Sequence, residues 1–123
     1  MAVNYDPSHL VRMGIDHVRF LAEFAARVKH VHGKDTEILS ENIYEMGTEL
    51  PATFAKPVAF GGTTWRYTIP GQGAVRWHRV LWMLKEAGYA GAVSIELEDA
   101  HFNGTEEGEK RGILAGARFL EGC

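Results

Sequence analysis

Short segments of alternating apolar and polar residues recur along the chain, and the clearest runs from Ala92 to Asp99. Strict alternation places Ala92, Ser94 and Glu96 on one face of a strand and bulky apolar residues on the other. The segment ends in three carboxylates. The pattern therefore predicts either an inward-facing acid at the carboxyl end of a strand or a solvated acidic turn after an edge strand.

Strand and helix patterns alternate along the chain. The predicted strands cover residues 2–6, 28–35, 63–69 and 92–97. Helical spacing follows the capping residue Asp16, the turn at 70–73 and the capping residue Thr105. The apolar side predicted for the last helix consists of Ile113, Leu114, Ala117, Phe119 and Leu120. Residues 70–73, Pro-Gly-Gln-Gly, are typical of a plain turn, with an anion-binding loop as the alternative. The alternation predicts parallel βα units.

A long loop is predicted between residues 36 and 62, because Pro51, Pro57 and Gly61 interrupt any regular pattern. Only residues 37–46 have helical spacing within it. A loop of this length in a compact domain is typical of one that covers a site.

Length and composition indicate a single soluble globular domain spanning residues 1–123. The formal net charge of −3 and the scattered basic residues argue against a nucleic-acid-binding surface. No stretch approaches the roughly 20 apolar residues of a membrane span, and the first residues lack a signal-peptide pattern. The single cysteine, Cys123, excludes an internal disulfide, which favours a cytoplasmic location.

Period-two counting along three predicted strands places Asp6, His32 and Glu96 at carboxyl ends, facing the same interior. Two carboxylates and an imidazole are ligands for a divalent ion such as Mn, Mg, Co or Zn. A second inward layer that can orient these ligands by hydrogen bonds consists of Asn4, His30 and Ser94. A lone inward histidine is typical of core packing, whereas these three coincident positions predict a metal site.

Three more residues are candidates for contact with a substrate. His9, three residues after Asp6, either reaches a substrate oxygen beside the metal or lies on a helix surface. Arg66 either holds a sugar hydroxyl or phosphate with its rigid fork of donors or is an ordinary surface arginine. Lys34 either contacts substrate at the rim of the site or pairs with Asp35 in solvent.

Four ordered motifs stand out against this background. They are Asn-Tyr-Asp-Pro-Ser-His-Leu at 4–10, His-Val-His-Gly-Lys-Asp at 30–35, Trp-Arg-Tyr-Thr-Ile-Pro-Gly-Gln-Gly at 65–73 and Gly-Tyr-Ala-Gly-Ala-Val-Ser-Ile-Glu-Leu-Glu-Asp at 88–99. Together they resemble the xylose isomerase-like sugar (phosphate) isomerase/epimerase family over nearly the whole chain.

The resemblance implies an α/β fold, half of a TIM barrel, with four parallel βα units equivalent to strands five to eight. It also implies a divalent metal held by Asp6, His32 and Glu96, with His9 contacting the substrate. In epimerases of this family two metal-bound glutamates move a proton on opposite faces of the substrate, and Glu96 matches one of them. A complete barrel takes roughly 250 residues, and nothing in this sequence matches the first four strands or the other glutamate.

The resemblance therefore predicts a sugar or sugar-phosphate isomerase or epimerase, or the carboxy-terminal portion of one, and leaves open whether the chain is active alone. The alternatives are a non-catalytic metal- or sugar-binding remnant and an interaction module. Abasic-site endonucleases of the same superfamily need an additional Asp-x-His, and residues 65–73 contain none. The uncovered edges of a half barrel predict association, either of two copies or with a separate amino-terminal half.

Overall fold

The computed structural model describes residues 1–49 and 55–123, which form an α/β architecture. The strands are β1 (Val3–Tyr5), β2 (Val28–Gly33), β3 (Asp35–Ile38), β4 (Trp65–Thr68) and β5 (Val93–Ile95). The helices are α1 (Pro7–Arg12), α2 (His17–Phe24), α3 (Ser40–Met46), α4 (Trp77–Glu86) and α5 (Glu106–Glu121). None of the helices in these two ranges is both long and apolar enough to cross a membrane.

Three of the strands form a parallel sheet in the order β1-β2-β5. Tyr5 of β1 is in register with Val31 of β2, and Val31 is in register with Val93 of β5. This register brings the carboxyl ends of all three strands to one edge of the sheet. The parallel arrangement predicted for residues 2–6, 28–35 and 92–97 is confirmed for β1, β2 and β5, although Asp35 lies beyond β2, in β3.

The fourth predicted strand does not join this sheet. β4 pairs antiparallel with β3, so that Asp35 lies opposite Thr68 and Ile38 opposite Trp65. The prediction of four parallel βα units is therefore wrong for β4, because β-branched and aromatic residues favour extended backbone without selecting the direction of the partner strand. The short helix predicted over residues 37–46 of the long loop is confirmed only as α3, Ser40–Met46, because residues 36–38 belong to β3. Pro51 lies outside the described residues.

The apolar core fills the space between the parallel sheet and helices α2 and α4. Its buried members are Tyr5, Leu21, Val28, Val31, Val75, Trp77, Val80 and Leu84. The start of α4 is tied to α2 because the Arg76 backbone N–H donates to His17 Nε2 over 3.0 Å and the Arg76 guanidinium lies 3.3 Å from Asp16 Oδ1. Burial lowers the pKa of His17, which keeps its imidazole neutral and able to accept this bond.

Helix α5 approaches the rest of the molecule through its glycines. A Cβ atom on Gly112 would lie 2.9 Å from both Leu97 and Phe102, so only glycine permits this close approach. The predicted apolar side of α5 is wrong for Ile113 and Leu114, which are 45% and 54% exposed. Phe119 and Leu120 of the predicted side do pack against the core, whereas the middle of α5 makes its contacts through small residues.

Candidate functional site

Three potential ligands converge at the carboxyl edge of the parallel sheet. Asp6 directly follows β1, His32 lies in the last part of β2 and Glu96 directly follows β5. His32 is in register with Ser94, which places Glu96 one strand period beyond it. One ligand atom from each of the three residues lies within 4.8 Å of the others. The structure thus brings together the three residues that period-two counting selected.

Asp6 is anchored through one of its two carboxylate oxygens. Its Oδ1 atom accepts bonds from the Ser8 backbone N–H (3.0 Å) and the Ser8 hydroxyl (2.5 Å), which cap the start of α1. Its Oδ2 atom is directed to the cluster, 3.3 Å from His9 Nε2 and 3.6 Å from Lys34 Nζ. The helix cap therefore orients a ligand oxygen toward the site.

His32 presents a buried nitrogen without a hydrogen bond. Its Nε2 atom lies 3.1 Å from the Asn4 amide, the contact expected from the second inward layer. Its Nδ1 atom is 3.2 Å from Glu96 Oε2 but has no hydrogen-bond partner among the residues that the structure describes. One imidazole nitrogen and two carboxylate oxygens form the donor set of a divalent-metal site, and the nitrogen here is buried and unpaired. These residues therefore fit such an ion.

Lys34 places a buried ammonium group beside the carboxylates. Its side chain is 2% exposed, and Nζ lies 2.8 Å from Glu96 Oε2 and 3.4 Å from Glu98 Oε1. Burial acts to lower the pKa of Lys34, but the bond to Glu96 and the charges of Asp6 and Glu98 outweigh it, so the pKa is raised. The same bond, opposed by burial, lowers the pKa of Glu96. At neutral pH the side chain of Lys34 is therefore an ammonium ion, and that of Glu96 is a carboxylate.

The interpretation of Lys34 and Asp35 as a solvent-exposed pair is wrong. Both residues are buried, and they point to different partners. Asp35 accepts the backbone N–H groups of Thr36, Gly71 and Val75 and the indole N–H of Trp77, over 2.8 to 3.2 Å. The side chains diverge because successive residues of an extended chain face opposite directions.

The turn at residues 70–73 does surround an anion, but that anion is the chain's own. A Cβ atom on Gly73 would collide with Asp35 Oδ1 and with the Thr36 carbonyl. Burial raises the pKa of Asp35, and the N–H donors of Val75, Thr36 and Gly71 oppose this rise. The turn therefore serves to hold Asp35, and through it the backbone next to Lys34.

Tyr67 belongs to the cluster although the sequence did not single it out. Its hydroxyl lies 2.7 Å from His9 Nδ1, and Lys34 Nζ lies 4.4 Å from the centre of its ring. His9 thus connects Tyr67 to Asp6, with 43% of its own side chain exposed. Burial raises the pKa of Tyr67, which keeps the phenol protonated.

Arg66 lies on the opposite face of β4 from Tyr67. Its Nε atom is 2.6 Å from Glu37 Oε2, and the pair lines a separate cleft of about 330 Å³ together with Asp99 and His101. A period-two pattern leaves open which of two adjacent residues faces a site when the partner strand is unknown. Arg66 was indicated by the donor fork of its guanidinium group, a criterion that does not report which face of the strand meets the site. A substrate contact by Arg66 stays a prediction.

The chain is similar in sequence to a known protein family and to several of its members. The model of a family described as xylose isomerase-like TIM barrel matches residues 1–123. The uncharacterized protein YfiH of Bacillus subtilis is 33% identical over 101 residues, 80% of this chain and 31% of that protein. An inosose dehydratase of Geobacillus thermodenitrificans is 35% identical over 94 residues, 76% of this chain and 29% of that protein. The chain spans less than a third of the length of these relatives.

A solved structure agrees on the fold. The xylose isomerase domain protein of Planctomyces limnophilus superposes with a TM-score of 0.67 at 24% identity, covering 98% of this chain and 36% of that one. The superposition extends over β3 and β4 as well as the parallel sheet, because nearly the whole chain is covered. It places the candidate site on an established α/β framework.

Proposed function

Because the chain belongs to the xylose isomerase-like TIM barrel family, we propose that it contributes to a sugar or sugar-phosphate isomerase or epimerase that uses a divalent metal. The observation that supports this proposal is the convergence of Asp6, His32 and Glu96 at one sheet edge, with an unpaired buried nitrogen on His32. The reaction class is movement of a proton next to a carbonyl group.

Asp6 Oδ2, His32 Nδ1 and a Glu96 oxygen would hold the metal, and Mn, Mg, Co and Zn are all compatible with two oxygens and one nitrogen. When bound, the ion would polarise a substrate carbonyl and stabilise the negative charge that develops on its oxygen. The structure sets the Asn4 amide nitrogen against His32 Nε2. Turning this amide by 180° would present its oxygen instead, so that Nε2 donates and Nδ1 stays free as a ligand.

Residues of this chain are proposed to transfer the protons and to contact the substrate. Glu96, ionised beside Lys34, is placed to remove the proton next to the carbonyl. His9 is partly exposed and fixed by Tyr67, so it is placed to donate to a substrate oxygen. Lys34 faces the same cluster and is a further proposed substrate contact, whereas Arg66 faces the separate cleft beside Glu37 and is left out of these contacts. Isomerisation and epimerisation also need a second acid or base, and the family's other metal-bound glutamate would have to come from outside the described residues.

Relatives named inosose dehydratase favour a second candidate, loss of water from a sugar-like ketone. In that reaction one base removes the proton, the carbon–oxygen bond breaks and an acid protonates the departing hydroxyl group, which leaves as water. Glu96 and His9 both lie close to Asp6 and can fill these two roles. This candidate therefore needs no second glutamate.

Proton exchange with solvent tests the proposed chemistry. With Mn²⁺ in D₂O, the protein is expected to exchange the proton next to the carbonyl of a probe such as fructose, fructose 6-phosphate or inosose. Removal of metal with EDTA is expected to lower the rate at least about 100-fold, because the proton transfer depends on carbonyl polarisation. NMR distinguishes the candidates, since isomerisation gives a deuterated sugar, whereas dehydration of a polyhydroxy ketone gives an enol that tautomerises to a 1,2-diketone.

Two results would contradict this proposal. Exchange that is insensitive to EDTA would remove the metal from the reaction. Binding of Mn²⁺ with no exchange in any probe would support a metal- or sugar-binding remnant instead.

We also propose that the protein associates, either with a second copy or with a separate amino-terminal half. The outer edges of β1 and β5 have no strand partner within residues 1–49 and 55–123. Ile113 and Leu114 of α5 are exposed, and so is Trp82 of α4. Uncovered strand edges and apolar side chains favour pairing with another chain.

Light scattering of dilute protein is expected to give a mass of at least two chains. Leu114→Glu is expected to lower that mass if α5 lies in the interface, whereas the same charge introduced by Ala115→Glu, about 100° around the helix at another exposed position, serves as the matched control. A monomer that binds no hydrophobic dye would contradict association.

A further inference from the structure

The ammonium group of Lys34 lies where the carboxylates of the site converge. Its distances to Glu96 Oε2, Glu98 Oε1 and Asp6 Oδ2 are 2.8, 3.4 and 3.6 Å. The side chain is almost wholly buried, and the face of the Tyr67 ring closes one side. A buried cation with three carboxylates around it satisfies charges that would otherwise stand unpaired.

The backbone delivers this ammonium group to the space that His32 also faces. Lys34 comes two residues after His32, so both side chains leave the same side of an extended chain. The side chain of the next residue, Asp35, accepts four N–H donors, which fix the backbone directly after Lys34. The position of the ammonium group is thus set by the fold.

Glu96 Oε2 is shared between two proposed uses. It accepts the bond from Lys34, and it lies 3.2 Å from the unpaired His32 Nδ1. An ammonium ion and a divalent ion both carry positive charge, and their repulsion at a few ångströms is large in a buried site. Glu98 provides a second acceptor that Lys34 already approaches.

We infer that Lys34 is the resident counter-ion of this site and that a divalent metal enters by displacing its ammonium group from Glu96 toward Glu98. This inference rests on the proposed metal site. It assigns Lys34 a role in setting metal affinity and assigns Glu98 the role of receiving the displaced charge. Both are positioning residues, since neither needs to bind the ion.

Lys34→Met keeps the length of the side chain and removes its charge. We expect this variant to bind Mn²⁺ at least about tenfold more tightly than the wild type, because no like charge must be displaced. We also expect it to gain more thermal stability from Mn²⁺ than the wild type does, because its carboxylates lack a counter-ion until metal arrives. Lys110→Met is the matched control, since Lys110 pairs with Glu106 on the surface of α5.

A double-mutant cycle with Glu98→Gln isolates the displacement. Glu98→Gln is expected to weaken Mn²⁺ binding about fivefold when Lys34 is present and to have little effect in the Lys34→Met background. An equal effect in both backgrounds would overturn the assigned role of Glu98, because it would reflect only the loss of a nearby charge.

Titration calorimetry with Mn²⁺ provides the dissociation constants. Lys34→Met affinity within twofold of the wild type, or weaker, would overturn the inference. If Lys34→Met folds only with Mn²⁺ present while the Lys110 control folds without it, the counter-ion role is supported. Equal binding by the wild type and Glu96→Ala would instead refute the metal site itself, so the two failures are distinguishable.

Discussion

Replacing Glu96 by alanine is expected to weaken Mn²⁺ binding at least about 100-fold, because it removes one of three ligands where loss of a supporting partner alone costs 10- to 100-fold. Glu96 is also the group placed to move the proton, so solvent exchange is expected to fall with it. Calorimetric titration and the exchange rate measure the two effects separately. The loss should exceed that of any substitution outside the Asp6, His32 and Glu96 cluster.

Glu96→Gln tests whether the charge of Glu96, rather than its size and shape, is needed for metal binding and for proton exchange. It retains an oxygen that can ligate weakly but cannot accept a proton at neutral pH, so exchange should fall further than metal affinity. Glu107→Ala, on the exposed first turn of α5, is the matched control and should change neither quantity. Equal heats for the wild type and Glu96→Ala would refute the ligand assignment.

Replacing Asp35 by alanine is expected to cost about 4 kcal/mol or more of unfolding free energy. The carboxylate of Asp35 is buried and accepts four N–H donors, from Thr36, Gly71, Val75 and the Trp77 indole. Each donor left buried and unpaired costs about 1 to 3 kcal/mol. Urea unfolding followed by far-UV circular dichroism measures the loss, since this signal does not depend on the Trp77 indole that bonds Asp35.

Asp16→Ala is the matched control for Asp35→Ala. The carboxylate of Asp16 also accepts two backbone N–H groups, from Val18 and Arg19, but at the exposed start of α2. Water can replace it there, so the loss should be much smaller. Asp35→Asn keeps one acceptor oxygen and should fall between the two. A loss for Asp35→Ala no greater than that for Asp16→Ala would contradict the role of Asp35 as the centre of this network.

Asp35 and Glu96 are linked through Lys34, which directly precedes Asp35 in the chain. Asp35 fixes the backbone that carries Lys34, and Lys34 in turn bonds Glu96. We therefore expect stability and metal affinity to be coupled in this region. We expect substitutions in the turn at residues 70–73 to change metal affinity as well, because this turn holds Asp35.

The sequence by itself determined the positions that converge. Asp6, His32 and Glu96 follow from period-two counting because each lies in a strand or directly after one, and a parallel sheet aligns carboxyl ends at one edge. The family resemblance was also available from ordered local motifs. Helix starts at Asp16 and Thr105 follow from side-chain capping, which is likewise a local interaction.

Only the tertiary structure determined those features that depend on residues distant in the chain. The antiparallel pairing of β4 with β3, the choice of Tyr67 over Arg66, and the glycine face of α5 all depend on which surface meets which. Lys34 is the clearest case, because its partner Glu96 lies 62 residues away. Local patterns report the burial and direction of a side chain, but not the identity of the charge that it meets, since only the packed fold brings these two strands side by side.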